Sequence, residues 1–202
     1  MSQFVKRLEQ MTRDDFQETG GKAANLGELA RNGFNVPPAF CVTARALEAV
    51  LDAGGAHRRI SEISSTINYD DYDQVEAKTL LIRDVITAAP LPQELLGEIR
   101  AGLQGLRKGD AEEPFVAVRS SVAVRESAIS SFPGMMDTYH FLRGEDQVID
   151  YIRKCWASLW TARAALRRRQ MNIDHGKGII APLVQRMVDS EVAGVMFTAN
   201  PI

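Results

Sequence analysis

An arginine that ends an apolar run and is followed by two hydroxyls is equipped to hold an anion. Here the run is Phe115-Val116-Ala117-Val118, the arginine is Arg119, and Ser120 and Ser121 follow. A planar guanidinium forks onto phosphate or carboxylate oxygens in a way that a point charge does not. A second cation, Lys22, follows Gly20-Gly21 and opens a helical pattern, with Ala23, Leu26, Leu29 and Ala30 on one face and Gly33 at its stop. Glycines ahead of a helix let backbone approach an anion, and a helix N-terminus favours negative charge. The Walker A spacing is absent. Each feature alone has an ordinary explanation: an arginine ion-paired on a surface hairpin, and a surface lysine at a helix start.

The elements that must position these residues can be read from pattern. The apolar run before Arg119 has a buried-strand pattern, which periodicity alone does not separate from a helical core segment; a small polar stretch Ser127 to Ser131 breaks at Pro133-Gly134, and Met136 to Phe141 suits a returning strand. Val36-Pro37-Pro38 leads rigidly into a strand ending at Thr43, which is placed to cap a helix over 44–53 that Gly54-Gly55 ends. From Ile60 to Leu106 the pattern is helical, with Val75, Leu80, Leu81, Val85 and Ile86 apolar and breaks at Pro90 and Pro92. Residues 60–106 therefore predict a helical insert against the sheet with no chemistry of its own. The acidic stretch Tyr69 to Asp73 is read as a solvated turn and helix cap in preference to a metal site. Gly144 opens a long helix whose Val148, Ile152, Cys155, Trp156, Leu159 and Trp160 recur at core spacing. Arg163, Arg167, Arg168 and Arg169 predict a solvated helix face. Ile179 to Val188 and Ala193 to Thr198 are two further runs of strand character.

Composition narrows the classes. A chain of 202 residues with ordinary apolar and charged fractions buries a real core. A formal charge of −2 predicts no general attraction to nucleic acid or anionic membranes. No apolar run is long enough to span a bilayer, and MSQFVKRLEQ lacks a signal core. Cys41 and Cys155 fit reduced thiols in a cytoplasmic protein, and no Cys/His cluster has metal-ligand spacing.

The order of residues is more specific than any one of them. Val118-Arg119-Ser120-Ser121, Ser131-Phe132, Gly134 and Asp137-Thr138-Tyr139 resemble the nucleotide-binding domain of phosphoenolpyruvate synthase and pyruvate phosphate dikinase. Gly20-Gly21-Lys22-Ala23-Ala24-Asn25-Leu26-Gly27-Glu28 resembles the opening motif of that family. Pro133-Gly134-Met135-Met136-Asp137-Thr138 is dikinase-like, whereas the spacing from Arg119 to Gly134 is synthase-like, so both subfamilies stay open. The resemblance implies an α+β fold: the first lobe of an ATP-grasp-like domain, with a mixed or antiparallel sheet, packed helices and the helical insert. It implies that Lys22 and Arg119 neutralise the triphosphate of ATP and that Thr138 donates a hydroxyl to a phosphate. Gln185, Met187 and Val188 fall on the strand that receives the adenine, and Arg163 and Arg167 match positions of packing and ion pairing.

The Thr198-Ala199-Asn200-Pro201-Ile202 ending resembles a turn after which the family carries its second lobe, where the Mg²⁺ ligands are expected. The implied whole enzyme is a phosphotransferase that phosphorylates a histidine on a swivelling domain and then uses pyruvate to form phosphoenolpyruvate. The chain alone is expected to be inactive. A rifampicin phosphotransferase-like kinase is the alternative within the class, and a non-catalytic nucleotide-binding or docking module the alternative outside it.

Overall fold

The computed structural model describes residues 4–107, 113–124, 137–197 and 199. The predicted break over Ser127 to Gly134, with Met135 and Met136, and the terminal Thr198 and Asn200 to Ile202 lie outside them. The fold is α+β. Five strands, β1 (Val5–Arg7), β2 (Ala39–Val42), β3 (Val116–Val124), β4 (Thr138–Leu142) and β5 (Gly178–Arg186), form one sheet in the order β1-β2-β5-β3-β4. Every pairing is antiparallel. The helices are α1 (Phe16–Arg31), α2 (Ala44–Ala53), α3 (Ala56–Ser64), α4 (Tyr72–Ala88), α5 (Gln93–Gly105), α6 (Glu145–Ala157) and α7 (Ala162–Gln170).

The two faces of the sheet are covered unequally. Strand alternation sends Phe40, Val42, Val116, Val118, Val122, Ile180 and Val184 to one face, where they join the main core with Val50, Ile82, Ile99, Ile152 and Trp156. Helices α2 to α7 share that core, so residues 56–105 are part of the main packing unit. The opposite face carries Ala39, Cys41, Ala181 and Leu183, which pack with Met11 and Ala23 beneath α1. Further along this face Arg119, Thr138 and Met187 keep solvent exposure.

Several helical positions differ from the pattern. Leu29, Leu80 and Leu81 are exposed at 43, 48 and 50%. Burial in α1 instead follows Ala23, Ala24 and Gly27, and in α4 Val75, Thr79, Ile82 and Ile86. A small residue can be the one that lets two elements approach, which a count of large apolar residues overlooks. Thr43 stands at the start of α2 as expected, but its side chain makes no capping bond, and its buried hydroxyl has no partner among the described residues. Asp71 does cap α4, accepting from Gln74 N at 3.1 Å. β1 is absent from the sequence reading because three residues carry no period; it pairs Val5 with Val42, and Glu98 of α5 accepts from the Phe4 and Val5 amides. Residues 193–197 form no strand. Without a ladder partner, Val195, Met196 and Phe197 stay 85, 88 and 66% exposed.

The arginine run splits. Arg163, Arg167 and Arg169 are exposed, but Arg168 is fully buried. Its Nη1 donates to the Leu159 carbonyl at 2.6 Å and its Nε to His175 Nδ1 at 3.0 Å. His175 lies between the rings of Trp160 and Tyr69, with its Nε2 2.6 Å from the Tyr69 hydroxyl. Desolvation, then the charge of Arg168, holds this imidazole at a pKa of about 4 against an ordinary 6.5; Asp174 opposes and Arg169 adds to the shift. The unfolded chain takes up this proton as pH falls through 6.5, the folded protein only near 4. Stability that is full above 6.5 is therefore lost as pH falls across that window. Because the ring is only partly covered, the expected loss is about 1–2 kcal/mol. Urea unfolding across this window should show it, and His175→Phe should flatten the slope.

Candidate functional site

The two cations singled out in the sequence meet at one strand. α1 is interrupted at Gly20, where φ is +73° and ψ 168°, so its regular turns begin at Gly21 and present Lys22 at their start. The break lies against β3: the Ala23 amide donates to Ser121 Oγ at 3.0 Å, and Lys22 Nζ donates to the Ser120 carbonyl at 2.6 Å. β4 pairs with β3 as far as Thr138 opposite Arg119, and Lys22 reaches the next β3 carbonyl beyond that pair. The anion expected at this helix start is thus replaced, for one amide, by a serine hydroxyl from a strand 98 residues away. Glycine is needed at position 20 for the approach of β3, since a Cβ there would stand 2.6 Å from both the Ser121 carbonyl carbon and its Oγ.

Arg119 shares its face of the sheet with Thr138 on β4 and Leu183 on β5, because directly paired residues of antiparallel strands point the same way. Its Nη1 donates to Gln185 Oε1 at 2.6 Å, and Gln185 Nε2 reaches back 3.4 Å to the Pro37 carbonyl. Gln185 therefore orients the guanidinium. Burial lowers the pKa of Arg119. Burial first, then the positive charge of Arg119, lowers that of Lys22. Among the described residues neither cation has an ion-pair partner. Two partly desolvated, mutually repelling cations on one face form a seat for a polyanion.

Of the remaining expected residues, Met187 lies at the other end of the same face and Val188 follows it beyond β5. The Met187 amide donates to the Phe115 carbonyl at 2.9 Å, so it extends the ladder and is not free to read a base edge. Its sulfur accepts from the Phe141 amide at 3.2 Å. Val188 is 63% exposed just beyond. Lys22, Arg119, Thr138 and Gln185 thus cluster at one end of the face, and Met187 and Val188 stand apart, past Gln185. Sequence reasoning missed the tertiary cap from Ser121 and the ring contact between Phe115 and Phe141, whose centroids are 6.2 Å apart. None of the three stands out in its run, because only the crossing of α1 over β3 and the pairing of β3 with β4 bring them into place.

Among the described residues no group of three or more His, Cys, Asp or Glu is arranged to hold a metal ion. No helix among them is long and apolar enough to cross a membrane. Cys41 and Cys155 are both unpaired and buried.

Residues 16–202 match the pyruvate phosphate dikinase AMP/ATP-binding domain. The chain is 38% identical to a probable phosphoenolpyruvate synthase of Pyrococcus horikoshii, covering 98% of this chain and 28% of that protein. It is 41% identical to one of Staphylothermus marinus, covering 98% and 24%. It is also 34% identical to the rifampicin phosphotransferase of Bacillus cereus, covering 100% and 23%. The chain thus spans between about a fifth and a third of the length of these relatives. A match over residues 16–202 shows that the chain belongs to the pyruvate phosphate dikinase AMP/ATP-binding domain family.

Proposed function

We propose that this chain is the first lobe of an ATP-grasp-like nucleotide site in a longer phosphoenolpyruvate synthase-like phosphotransferase. The observation that carries the proposal is the convergence of Lys22 and Arg119, partly desolvated and without carboxylate partners among the described residues, on the open face. An ATP triphosphate neutralises both. As phosphoryl transfer shifts charge on the phosphate oxygens, cations already in place stabilise it without reorganising. Gln185 holds the Arg119 fork, the Ser120 carbonyl holds the Lys22 ammonium until the phosphate displaces it, and Thr138 presents an exposed hydroxyl beside Arg119. Of the residues expected at the adenine, Met187 and Val188 keep positions past Gln185, with Met187 contributing its side chain and Val188 its backbone.

The acceptor chemistry belongs to the rest of the longer protein. In this reading a histidine on a swivelling domain takes the phosphoryl group and passes it to pyruvate, and the enzyme works in the cytoplasm. The family resemblance assigns the Mg²⁺ ligands to a second lobe, and no step is derived through the metal. The similarity to a rifampicin phosphotransferase supports a second reading, in which the same lobe serves an antibiotic kinase. Phosphorus NMR of the full-length gene product with Mg-ATP and pyruvate, with and without inorganic phosphate, separates these. Phosphoenolpyruvate and AMP without a phosphate requirement indicate a synthase; a phosphate requirement with pyrophosphate released indicates a dikinase. ATP turnover only with rifampicin favours the second reading. Absence of ATP binding overturns both.

A further inference from the structure

The far end of the open face carries a feature that the cationic end does not explain. Register between β3 and β4 slips once: Val116 pairs with Leu142 but Val118 with Tyr139. Two steps on β3 thus face three on β4, and the additional residue falls at His140 and Phe141, opposite Ala117. Such a bulge re-aims a side chain. Phe141 adopts φ +58°, a region that a bulky residue enters only under constraint. The constraint is visible: its amide donates to Met187 Sδ, and its ring meets the edge of Phe115. The Arg143 guanidinium lies 4.1 Å from the centre of the Phe115 ring. Phe141 nevertheless stays 69% exposed and Phe115 43%, so the strained conformation holds an aromatic ring out of the core.

Alternation puts Phe115 on the face of Ala117 and Arg119, because its carbonyl continues the β3–β5 ladder to Met187. Four residues separate it from Arg119, about 13 Å along a strand. An apolar, π-bearing surface at that distance from a paired-cation seat, on one face, suits a ligand with a flat aromatic group at one end and phosphates at the other. We propose that Phe141, held by the bulge against Phe115 and Met187, packs on the purine ring of the bound nucleotide and contributes affinity for the base. This rests on the nucleotide reading above.

The test uses the full-length protein and two probes, ATP and inorganic tripolyphosphate, titrated by calorimetry. Phe141→Gly removes the ring and relieves the positive φ. It should weaken ATP by about tenfold, the scale of one base–aromatic stack, and leave tripolyphosphate unchanged. Phe141→Tyr should keep ATP affinity. Equal losses for both probes, or none for ATP, overturn the inference while the nucleotide reading stands. If the wild type binds tripolyphosphate but not ATP, the nucleotide reading itself fails. Wild-type protein offers an independent check should the glycine variant misfold: transferred NOEs between phenylalanine ring protons and adenine H2 or H8 are expected, and their absence in a complex that binds ATP also overturns the inference.

Discussion

Replacing Arg119 with alanine in the full-length protein should weaken ATP binding by about 100-fold while leaving the fold in place. The first half follows from what the guanidinium lacks. It is partly desolvated, has one neutral hydrogen-bond partner, Gln185, and no carboxylate among the described residues. Its charge is therefore available to an anion, and charge-assisted bonds to phosphate contribute on the order of 2–3 kcal/mol. The second half follows from the same facts. Deleting Arg119 breaks no ion pair, and the one hydrogen bond it removes ends on the neutral, buried amide of Gln185, which keeps its other contact, to the Pro37 carbonyl, so the cost is that of a single hydrogen bond. Arg119→Lys should recover only part of the affinity, because charge returns but the fork does not. Gln185→Leu should fall between wild type and Arg119→Ala, since it leaves the cation but releases its orientation. Calorimetric titration with ATP and thermal unfolding of each variant measure both halves. ATP affinity unchanged in Arg119→Ala would remove this residue from the site.

Much of the α+β architecture was legible because it rests on strong local signals. The strand before Arg119, the run that became β5 and the aromatic stripe of α6 all follow periodicity, and all reach the main core. What the sequence hid were features created by tertiary contact. Arg168 looks like its neighbours in a basic run, yet it is buried with its Nη1 on the Leu159 carbonyl, its Nε on His175 and its guanidinium over the Trp160 ring, while Nη2 has no hydrogen-bond partner among the described residues. Leu29, Leu80 and Leu81 look like core and face solvent: in α1 the small Ala23, Ala24 and Gly27 take the buried side, and in α4 Val75, Thr79, Ile82 and Ile86 take it. Gln185 looked like a reader of adenine. Its side chain is turned onto Arg119 by a register, Ala117 opposite Gln185 and Arg119 opposite Leu183, that spacing along one strand does not reveal. Lys22 and Arg119 could be named from pattern, but their meeting depended on how α1 crosses β3.

That crossing makes Gly20 a position at which a single methyl group should damage both the fold and the site. Two independent effects add. A non-glycine residue at φ +73° is strained by about 1 kcal/mol. The new Cβ would also lie 2.6 Å from the Ser121 carbonyl carbon and 2.7 Å from its carbonyl oxygen, and these are backbone atoms. A side chain could rotate away, but β3 cannot, because Ser121 is paired with Ala181 in the middle of the longest ladder of the sheet. Overpacking of this kind costs about 1–3 kcal/mol, so Gly20→Ala should lose about 2–4 kcal/mol in urea unfolding. The control is Ser121→Ala, which removes only the hydroxyl that accepts from Ala23 and should lose about 0.5–2 kcal/mol. Combining the two should not rescue Gly20→Ala, since the backbone clash survives the loss of Oγ. Full rescue by Ser121→Ala would show instead that the hydroxyl alone sets the approach. The functional consequence follows the geometry: if α1 must lift from β3 to admit the methyl group, Lys22 loses the Ser120 carbonyl, and nucleotide affinity should fall together with stability.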